Sequence, residues 1–295
     1  MNNQLIKQII KLIRPYQYIK NSFVLLGVMF SKQWDKQTLL SAALAFLAFC
    51  AIASSVYVFN DIMDIEADRQ HPTKKNRPLA SGAISVQVAW SISGGLALLA
   101  LLLAAIVGLW MVLFIVLYAV LNVGYSLRWK HIAVLDVFII SAGFMLRILA
   151  GTMGLEIAPS SWLLLCGLML TLFLGFAKRR AELIVIENGG GSDRALTRKV
   201  LSDYSPVIIE QFMSISAACT ILSYSLYTVS PETVARHGTQ DLIYTVPFVV
   251  YGIFRYVFLL HQRGRGNDTA RDLYSDPHLL LTVLAWGIVT LVVLS

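Results

Sequence analysis

The chain has 295 residues, 57% of them hydrophobic and only 14% charged, where a soluble domain carries about 25% charged residues. That shortfall excludes an ordinary soluble domain and points to a surface that faces lipid. The net charge of +7 does not argue for nucleic acid, because the basic residues fall in short segments between apolar runs, where they orient a membrane protein.

In chain order, Leu5, Ile6, Ile9, Ile10 and Ile13 recur at helical spacing among Lys7, Lys11 and Arg14. Residues 1–20 therefore read as an amphipathic basic lead-in at the cytoplasmic interface and not as a cleavable signal peptide. Since a bilayer takes about 20 apolar residues per helix, the runs at 16–30, 39–59, 133–152, 159–177, 207–229, 242–260 and 278–294 each predict one span. The uncharged stretch 78–127 predicts two, with a turn near 108–110. The expected class is an all-α polytopic membrane protein with nine transmembrane helices, forming a single domain over residues 1–295.

The basic residues alternate with these spans. Lys7, Lys11, Arg14 and Lys20 precede the first; Arg69, Lys74, Lys75 and Arg77 follow the second; Arg128 and Lys130 follow the fourth; Lys178, Arg179, Arg180, Arg194, Arg198 and Lys199 follow the sixth; Arg263, Arg265 and Arg271 follow the eighth. The opposite side has Lys32, Lys36 and Arg236. By the positive-inside rule the N-terminus is cytoplasmic and the C-terminus outside, and the expected location is the inner (plasma) membrane. Cys50, Cys166 and Cys219 lie in apolar runs and read as packing residues. The glycines at 189–191 read as a connector. No histidine pair is spaced for metal or acid–base work.

Three polar groups interrupt the apolar pattern. The second span ends in Asn60, Asp61, Asp64, Glu66 and Asp68. Carboxylates beside hydrocarbon cost about 2.5–3.5 kcal/mol each, so their presence needs a reason. Asn60, Asp64 and Asp68 are spaced i, i+4, i+8, which lines up three oxygen ligands on one helix face, a set suited to Mg2+. The following HPTKKNRPLASG segment, residues 71–82, carries Lys74 and Arg77 in a loop fixed by prolines and Gly82. The second group is Tyr125, Arg128, Lys130 and Asp136, with Arg147 eleven residues further along the same predicted helix. That separation is about three turns, too far for a direct pair, so each is expected to find other partners. The third is Lys178-Arg179-Arg180, three cations that suit a phosphate-rich ligand, which the two arginines can grip bidentately. Lys20 and Asn21 add a polar pair at the cytoplasmic edge of the first span.

The segment Asn60-Asp61-x-x-Asp64-x-x-x-Asp68 resembles the first aspartate-rich motif of the UbiA superfamily of intramembrane transferases. With RPYQYIKN (14–21), YSLRWKHIAVLDV (125–137) and GFAKRRAEL (175–183), the resemblance narrows to the decaprenyl-phosphate phosphoribosyltransferase family and weakens after the sixth span. It implies a helical bundle with a cytoplasm-facing polar cavity. It further implies Mg2+-dependent attack of a polyprenyl phosphate on C1 of 5-phosphoribosyl 1-diphosphate, releasing diphosphate, with the product serving cell-wall arabinan synthesis in related organisms.

On that reading Asn60, Asp64 and Asp68 hold the metal and Asp61 orders its water. Lys74, Arg77 and Lys130 neutralise phosphate oxygens, and Asp136 orients the sugar or stabilises charge at C1. Lys20, Arg147, Lys178 and Arg179 hold the lipid phosphate or the 5-phosphate, and Asn21 and Tyr125 complete the substrate-binding set. Polyprenyl length, metal preference and oligomeric state stay open, a homo-oligomer included. An aromatic prenyltransferase is the alternative enzyme, opposed by the single Asp136 where that branch has a second aspartate-rich motif. A transporter or lipid-binding protein is the alternative class, opposed by acids at a membrane edge and not at the midplane.

Overall fold

The structure is a computed structural model that describes residues 3–71, 74–188, 201, 203–263, 266 and 269–295. The glycines at 189–191, together with Arg194, Arg198, Lys199 and Arg265, lie outside the described residues. Among those described, every regular element is a helix. The α-helices are α1 (Asn3–Ile13), α2 (Leu26–Ser31), α3 (Lys36–Met63), α4 (Ile65–Gln70), α5 (Val86–Val107), α6 (Leu109–Leu127), α7 (Leu135–Ala150), α8 (Ser161–Asn188), α9 (Pro206–Val229), α10 (Pro231–His237), α11 (Val246–Arg263), α12 (Thr269–Ser275) and α13 (Pro277–Leu294). Eight of the described helical segments have the length and composition to cross a membrane.

The expected ninth span, 16–30, is helical but wound differently. It is a 3-10 helix of 11 residues, Pro15–Leu25, running into the 6 residues of α2. At the rises of the two helix types, about 2.0 and 1.5 Å per residue, this segment reaches roughly 30 Å, the thickness of a hydrocarbon core. The expected turn inside 78–127 falls at Gly108, whose φ of 153° ends α5 and starts α6. Local chemistry sets the other starts. Asp35, Ser85, Ser205 and Asp276 each cap the helix that follows by accepting a backbone N–H, and Pro206 and Pro277 sit at first-turn positions where a missing N–H costs nothing.

The contacts group into two compact units. The first comprises residues 1–28, 33–130 and 146–158, and the second 29–32, 131–145 and 159–295. α7 contributes its start to the second unit and its end to the first.

The first unit is built around α3, the most buried of the candidate spans. Its Ala45, Ala48, Phe49, Ile52 and Val56 meet Ala100 and Ala104 of α5 and Met111, Ile115 and Tyr118 of α6. So many alanines let helix backbones approach closely, which is how spans pack where lipid supplies no hydrophobic drive. The closest approach is backbone on backbone: a β-carbon at Gly27 would lie 2.0 Å from the Gly151 oxygen, and one at Gly151 would lie 1.8 Å from the Val24 oxygen.

The second unit centres on Val137, Phe173, Phe176, Met213, Tyr256 and Leu260. A satellite cluster gathers Phe30, Tyr224, Tyr227 and Trp286, in which Trp286 Nε1 donates to Tyr224 Oη at 2.8 Å. The Asp276 carboxylate that caps α13 also takes both arms of the Arg255 fork, at 3.1 and 2.7 Å.

The Gly27–Gly151 contact predicts a position-dependent response to one added methyl group. Gly151→Ala is expected to cost about 1–3 kcal/mol, as overpacking does, and to lower the thermal unfolding midpoint in detergent. Gly95→Ala is the control: it lies on α5 with nothing within 4 Å of the new carbon, and a helical alanine there is neutral or stabilising by up to about 1 kcal/mol. Equal midpoints for the two variants would refute the close approach.

Candidate active site

α3 stops at Met63 and α4 starts at Ile65, with Asp64 between them at φ −99° and ψ 9°. The helical hydrogen bonding nevertheless runs through the break, since Asp64 N donates to Asn60 O at 3.0 Å and Asp68 N to Asp64 O at 2.8 Å. Asn60, Asp64 and Asp68 therefore keep the i, i+4, i+8 register that the sequence predicts. Each has a partner from elsewhere in the first unit. Ser126 Oγ donates to Asn60 Oδ1. Lys130 Nζ lies 3.1 Å from Asp64 Oδ1, and Arg77 Nη1 lies 2.6 Å from Asp68 Oδ2. Asp61, one residue out of register, is buried and pairs with Arg77 at 3.1 Å and with Arg14. Three carboxylates thus face three cations. Glu66 only pairs with Arg69 in solvent.

The cations are held in place. In the loop after α4, Arg77 N donates to Lys74 O at 2.9 Å, Ser81 N to Arg77 O at 2.9 Å and Ile84 N to Pro78 O at 3.1 Å. Gly82 turns at φ +76°. Leu79 and Ile84 anchor the loop in a small core with Leu12 and Val58, and Lys11 Nζ donates to Asn76 O at 2.7 Å. Burial pushes the Asp68 carboxyl above its usual range, while Arg77 and Lys74 pull it back, which places Lys74 within electrostatic reach of Asp68. Lys75 is exposed. At the end of α6, Gly124 leaves room for Trp129, whose ring a β-carbon would meet at 2.5 Å. That packing turns the chain so that Lys130 reaches Asp64. Tyr125 lies in the same last turn of α6, beside Ser126.

The first unit holds a second polar group. Arg147, buried in α7, donates from Nε to Asn21 Oδ1 at 2.8 Å and from Nη2 to Tyr118 Oη at 2.9 Å. Its guanidinium also lies 4.6 Å from the Tyr118 ring centre and 5.8 Å from that of Phe49. Asn21 Nδ2 donates in turn to Cys50 Sγ at 3.3 Å, and Lys20 lies within electrostatic reach of Tyr118.

In the second unit, Asp136 is fully buried and accepts from Tyr204 Oη at 2.8 Å, with Arg179 Nε 3.0 Å from its other oxygen. Arg179 is itself fully buried and also pairs with Glu182. Tyr204 Oη accepts the backbone N–H of Val134, a β-branched residue at φ +67°. That conformation is a true outlier, held only when the surroundings over-determine it. Burial pushes the Tyr204 hydroxyl well above the ordinary phenol range, and the bond to Asp136 adds to the effect. Of the three consecutive cations, Arg179 points inward, Arg180 pairs with Glu210 and Glu187 at 2.7 and 3.0 Å, and Lys178 is half-buried. Asp136 and Arg147 share α7 but are engaged by different partners, as their separation requires.

Arg14, Ser126 and Tyr204 escape the sequence reading. Arg14 stands out only as another cation before a span, and Ser126 only as a small polar residue. No local signal links Tyr204 to Asp136, 68 residues away.

The metal-binding chemistry can be judged from the donor set. Among the described residues no three His, Cys, Asp or Glu side chains converge into a cage. Asn60, Asp64 and Asp68 offer oxygen donors only, two of them carboxylates. That composition suits Mg2+, which binds one or two carboxylates and completes its shell with water and phosphate oxygens.

Comparison with known proteins bears on the whole chain. The sequence profile described as the UbiA prenyltransferase family matches residues 21–276. A decaprenyl-phosphate phosphoribosyltransferase from Corynebacterium glutamicum is 34% identical over 94% of this chain and 83% of its own length. One from Mycolicibacterium smegmatis is 31% identical over 96% and 91%. A UbiA homologue from Archaeoglobus fulgidus, solved with GPP and Mg2+ bound, superposes with a TM-score of 0.71 at 19% identity, covering 96% of this chain and 99% of that one; at that identity the likeness is one of fold.

The Asp136 group predicts a stability phenotype. Tyr204→Phe takes the partner from the half-buried Val134 N–H and from one buried Asp136 oxygen and is expected to cost about 1–3 kcal/mol. Arg179→Met, which strands a buried carboxylate, is expected to cost more, about 3–5 kcal/mol. Thermal unfolding in detergent checks the order, and a Tyr204→Phe midpoint equal to wild type would contradict the network.

Proposed function

Because the chain belongs to the UbiA prenyltransferase family and is a multi-pass membrane protein, we propose that it transfers 5-phosphoribose from 5-phosphoribosyl 1-diphosphate to a polyprenyl phosphate at the cytoplasmic face, with its N-terminus cytoplasmic and its C-terminus outside. The observation that carries this reading is the identity of 34% and 31%, over nearly the whole chain, to two proteins named for that reaction. The electrostatics support it. Both substrates are anions, and the aspartate-rich segment is interleaved with Arg14, Arg77 and Lys130.

In the reaction, an oxygen of the lipid phosphate forms a bond to C1 of the ribose as the C1–O bond to diphosphate breaks, and diphosphate leaves with the bonding pair. The acceptor is already ionised near neutral pH, so no strong general base is needed and no histidine is invoked. Asn60, Asp64 and Asp68 are the residues to hold Mg2+, which when bound supplies charge neutralisation to the leaving diphosphate. Arg77, Lys74 and Lys130 take the remaining phosphate oxygens. Asp61 acts mainly by fixing Arg77. Arg147, with Lys20, Asn21 and Tyr125, is the candidate anchor for the lipid phosphate or the 5-phosphate. Asp136 and Arg179, which pair with each other while Asp136 also accepts from Tyr204, have a different role on this reading: they brace the turn at Val134 and touch no substrate. Lys178 is retained as a phosphate ligand. Catalysis on this scheme is positioning plus electrostatics, and the product is a polyprenyl-phosphoryl ribose 5-phosphate destined for cell-wall arabinan.

The test uses membranes carrying the protein, Mg2+, a polyprenyl phosphate and 5-phosphoribosyl 1-diphosphate labelled in the ribose. Label is expected in the extracted lipid and is expected to fall about 100-fold or more in Asp64→Ala. An unlabelled lipid, with prenyl transfer from a prenyl diphosphate to an aromatic acid instead, would move the chain to the prenyl-transferring branch of its family.

A further inference from the structure

Arg14 lies at the joint between α1 and the 3-10 helix that begins at Pro15, and its backbone is left-handed, at φ 54° and ψ 57°. That region is unfavourable for any residue but glycine, and a following proline restricts it further. Strain of this kind survives only where neighbours enforce it. Here the enforcing contacts come from one face of α3. Ser54 Oγ donates to Ile13 O at 2.8 Å and lies 2.9 Å from Tyr18 Oη. The Arg14 guanidinium stands 5.4 Å from the Tyr57 ring centre and donates to Asp61 Oδ1. Ser54, Tyr57 and Asp61 are spaced i, i+3, i+7 and so share that face. An ordinary helical or extended backbone at residue 14 would aim the guanidinium elsewhere.

The Asp61 oxygen that accepts from Arg14 also accepts from Arg77 Nη1 at 3.1 Å, and the same Nη1 reaches Asp68 Oδ2 at 2.6 Å. Arg14, Asp61, Arg77 and Asp68 form one chain of charge-assisted hydrogen bonds inside the first unit. Asp61 is 2% exposed, so its charge must be met by protein. With Arg14 sharing that charge, Arg77 is divided between Asp61 and Asp68. Without Arg14, the buried Asp61 carboxylate draws Arg77 to itself and away from Asp68.

We propose that Arg14 is a positioning residue for diphosphate binding: it holds Asp61 and, through Asp61, sets where Arg77 presents its guanidinium. The inference rests on the reading of the acidic segment as a magnesium–diphosphate site. It does not depend on which group is transferred, since phosphoribosyl and prenyl donors both carry a diphosphate.

The experiment is calorimetric titration of the purified full-length protein with inorganic diphosphate and Mg2+, alongside the thermal midpoint, for wild type, Arg14→Gln, Arg14→Lys, Asp61→Asn and the Arg14→Gln/Asp61→Asn double variant. Arg14→Gln is expected to weaken diphosphate binding roughly tenfold, the effect of one lost charge-assisted hydrogen bond. Arg14→Lys, which keeps the charge but not the planar fork, is expected to weaken it about threefold. The double variant is expected to bind no worse than Asp61→Asn alone, because Arg14 acts through Asp61. Binding by Arg14→Gln equal to wild type overturns the proposal, as do losses that multiply in the double variant or a lowered midpoint with unchanged affinity. If Arg14→Gln does not fold, Arg14→Lys decides by the same criterion. A wild-type protein that binds no magnesium diphosphate overturns the acidic-site reading and this inference together. Wild-type binding without phosphoribosyl transfer to lipid overturns the proposed reaction alone.

Discussion

The architecture of the first unit answers one electrostatic requirement. Three carboxylates, Asp61, Asp64 and Asp68, stand where an apolar helix leaves the membrane, and two of them are almost wholly removed from water. Ionised groups in such a place must be met by opposite charge and by hydrogen-bond donors, or they lose their charge. Much of the surrounding chain meets that requirement. The loop after α4 is folded on itself so that Arg77 can reach two of the acids, the end of α6 is turned by Trp129 against Gly124 so that Lys130 reaches a third, and the N-terminal segment bends sharply at Arg14. On the proposed function the same cations that stabilise the acids in the folded protein are the groups a diphosphate would engage, so one set of side chains would serve both stability and binding.

The second unit meets a similar requirement by another route. Asp136 is enclosed with Arg179 and Tyr204 and has no exposed surface. Its partners fix a backbone turn at Val134 that would not persist alone. A buried ion pair of this sort contributes little net stability against an apolar alternative, but removing one member is costly. Its value is geometric: it fixes the start of α7.

Much of this was legible in the sequence because membrane helices obey strong local rules. The break at Gly108 follows from a stretch too long for one span, and the register of Asn60, Asp64 and Asp68 survives because backbone hydrogen bonds continue through Asp64. The rigid loop follows from Pro78 and the positive φ of Gly82. What was illegible depends on contacts between distant segments or on unusual backbone. The inward direction of Arg179 depends on Asp136, far away in sequence, and α8 outruns its apolar run because Arg179 and Arg180 find Glu182, Glu187 and Glu210. The aim of Arg14 depends on a left-handed backbone that no propensity favours, and the 3-10 winding after Pro15 has no periodicity distinct from that of an α-helix over so short a run.

The chain positions of these two charge groups bear on biosynthesis. Every member of the acidic segment's lattice, from Arg14 to Lys130, is made before Asp136. Asp136 must then wait for Tyr204, 68 residues later, which at roughly 5–20 residues per second is about 3–14 s of elongation. Arg179 comes earlier, and until it is made a carboxylate at the mouth of a span has neither of its final partners. The start of α7 therefore cannot take its final form until α8 and the residues after it are made.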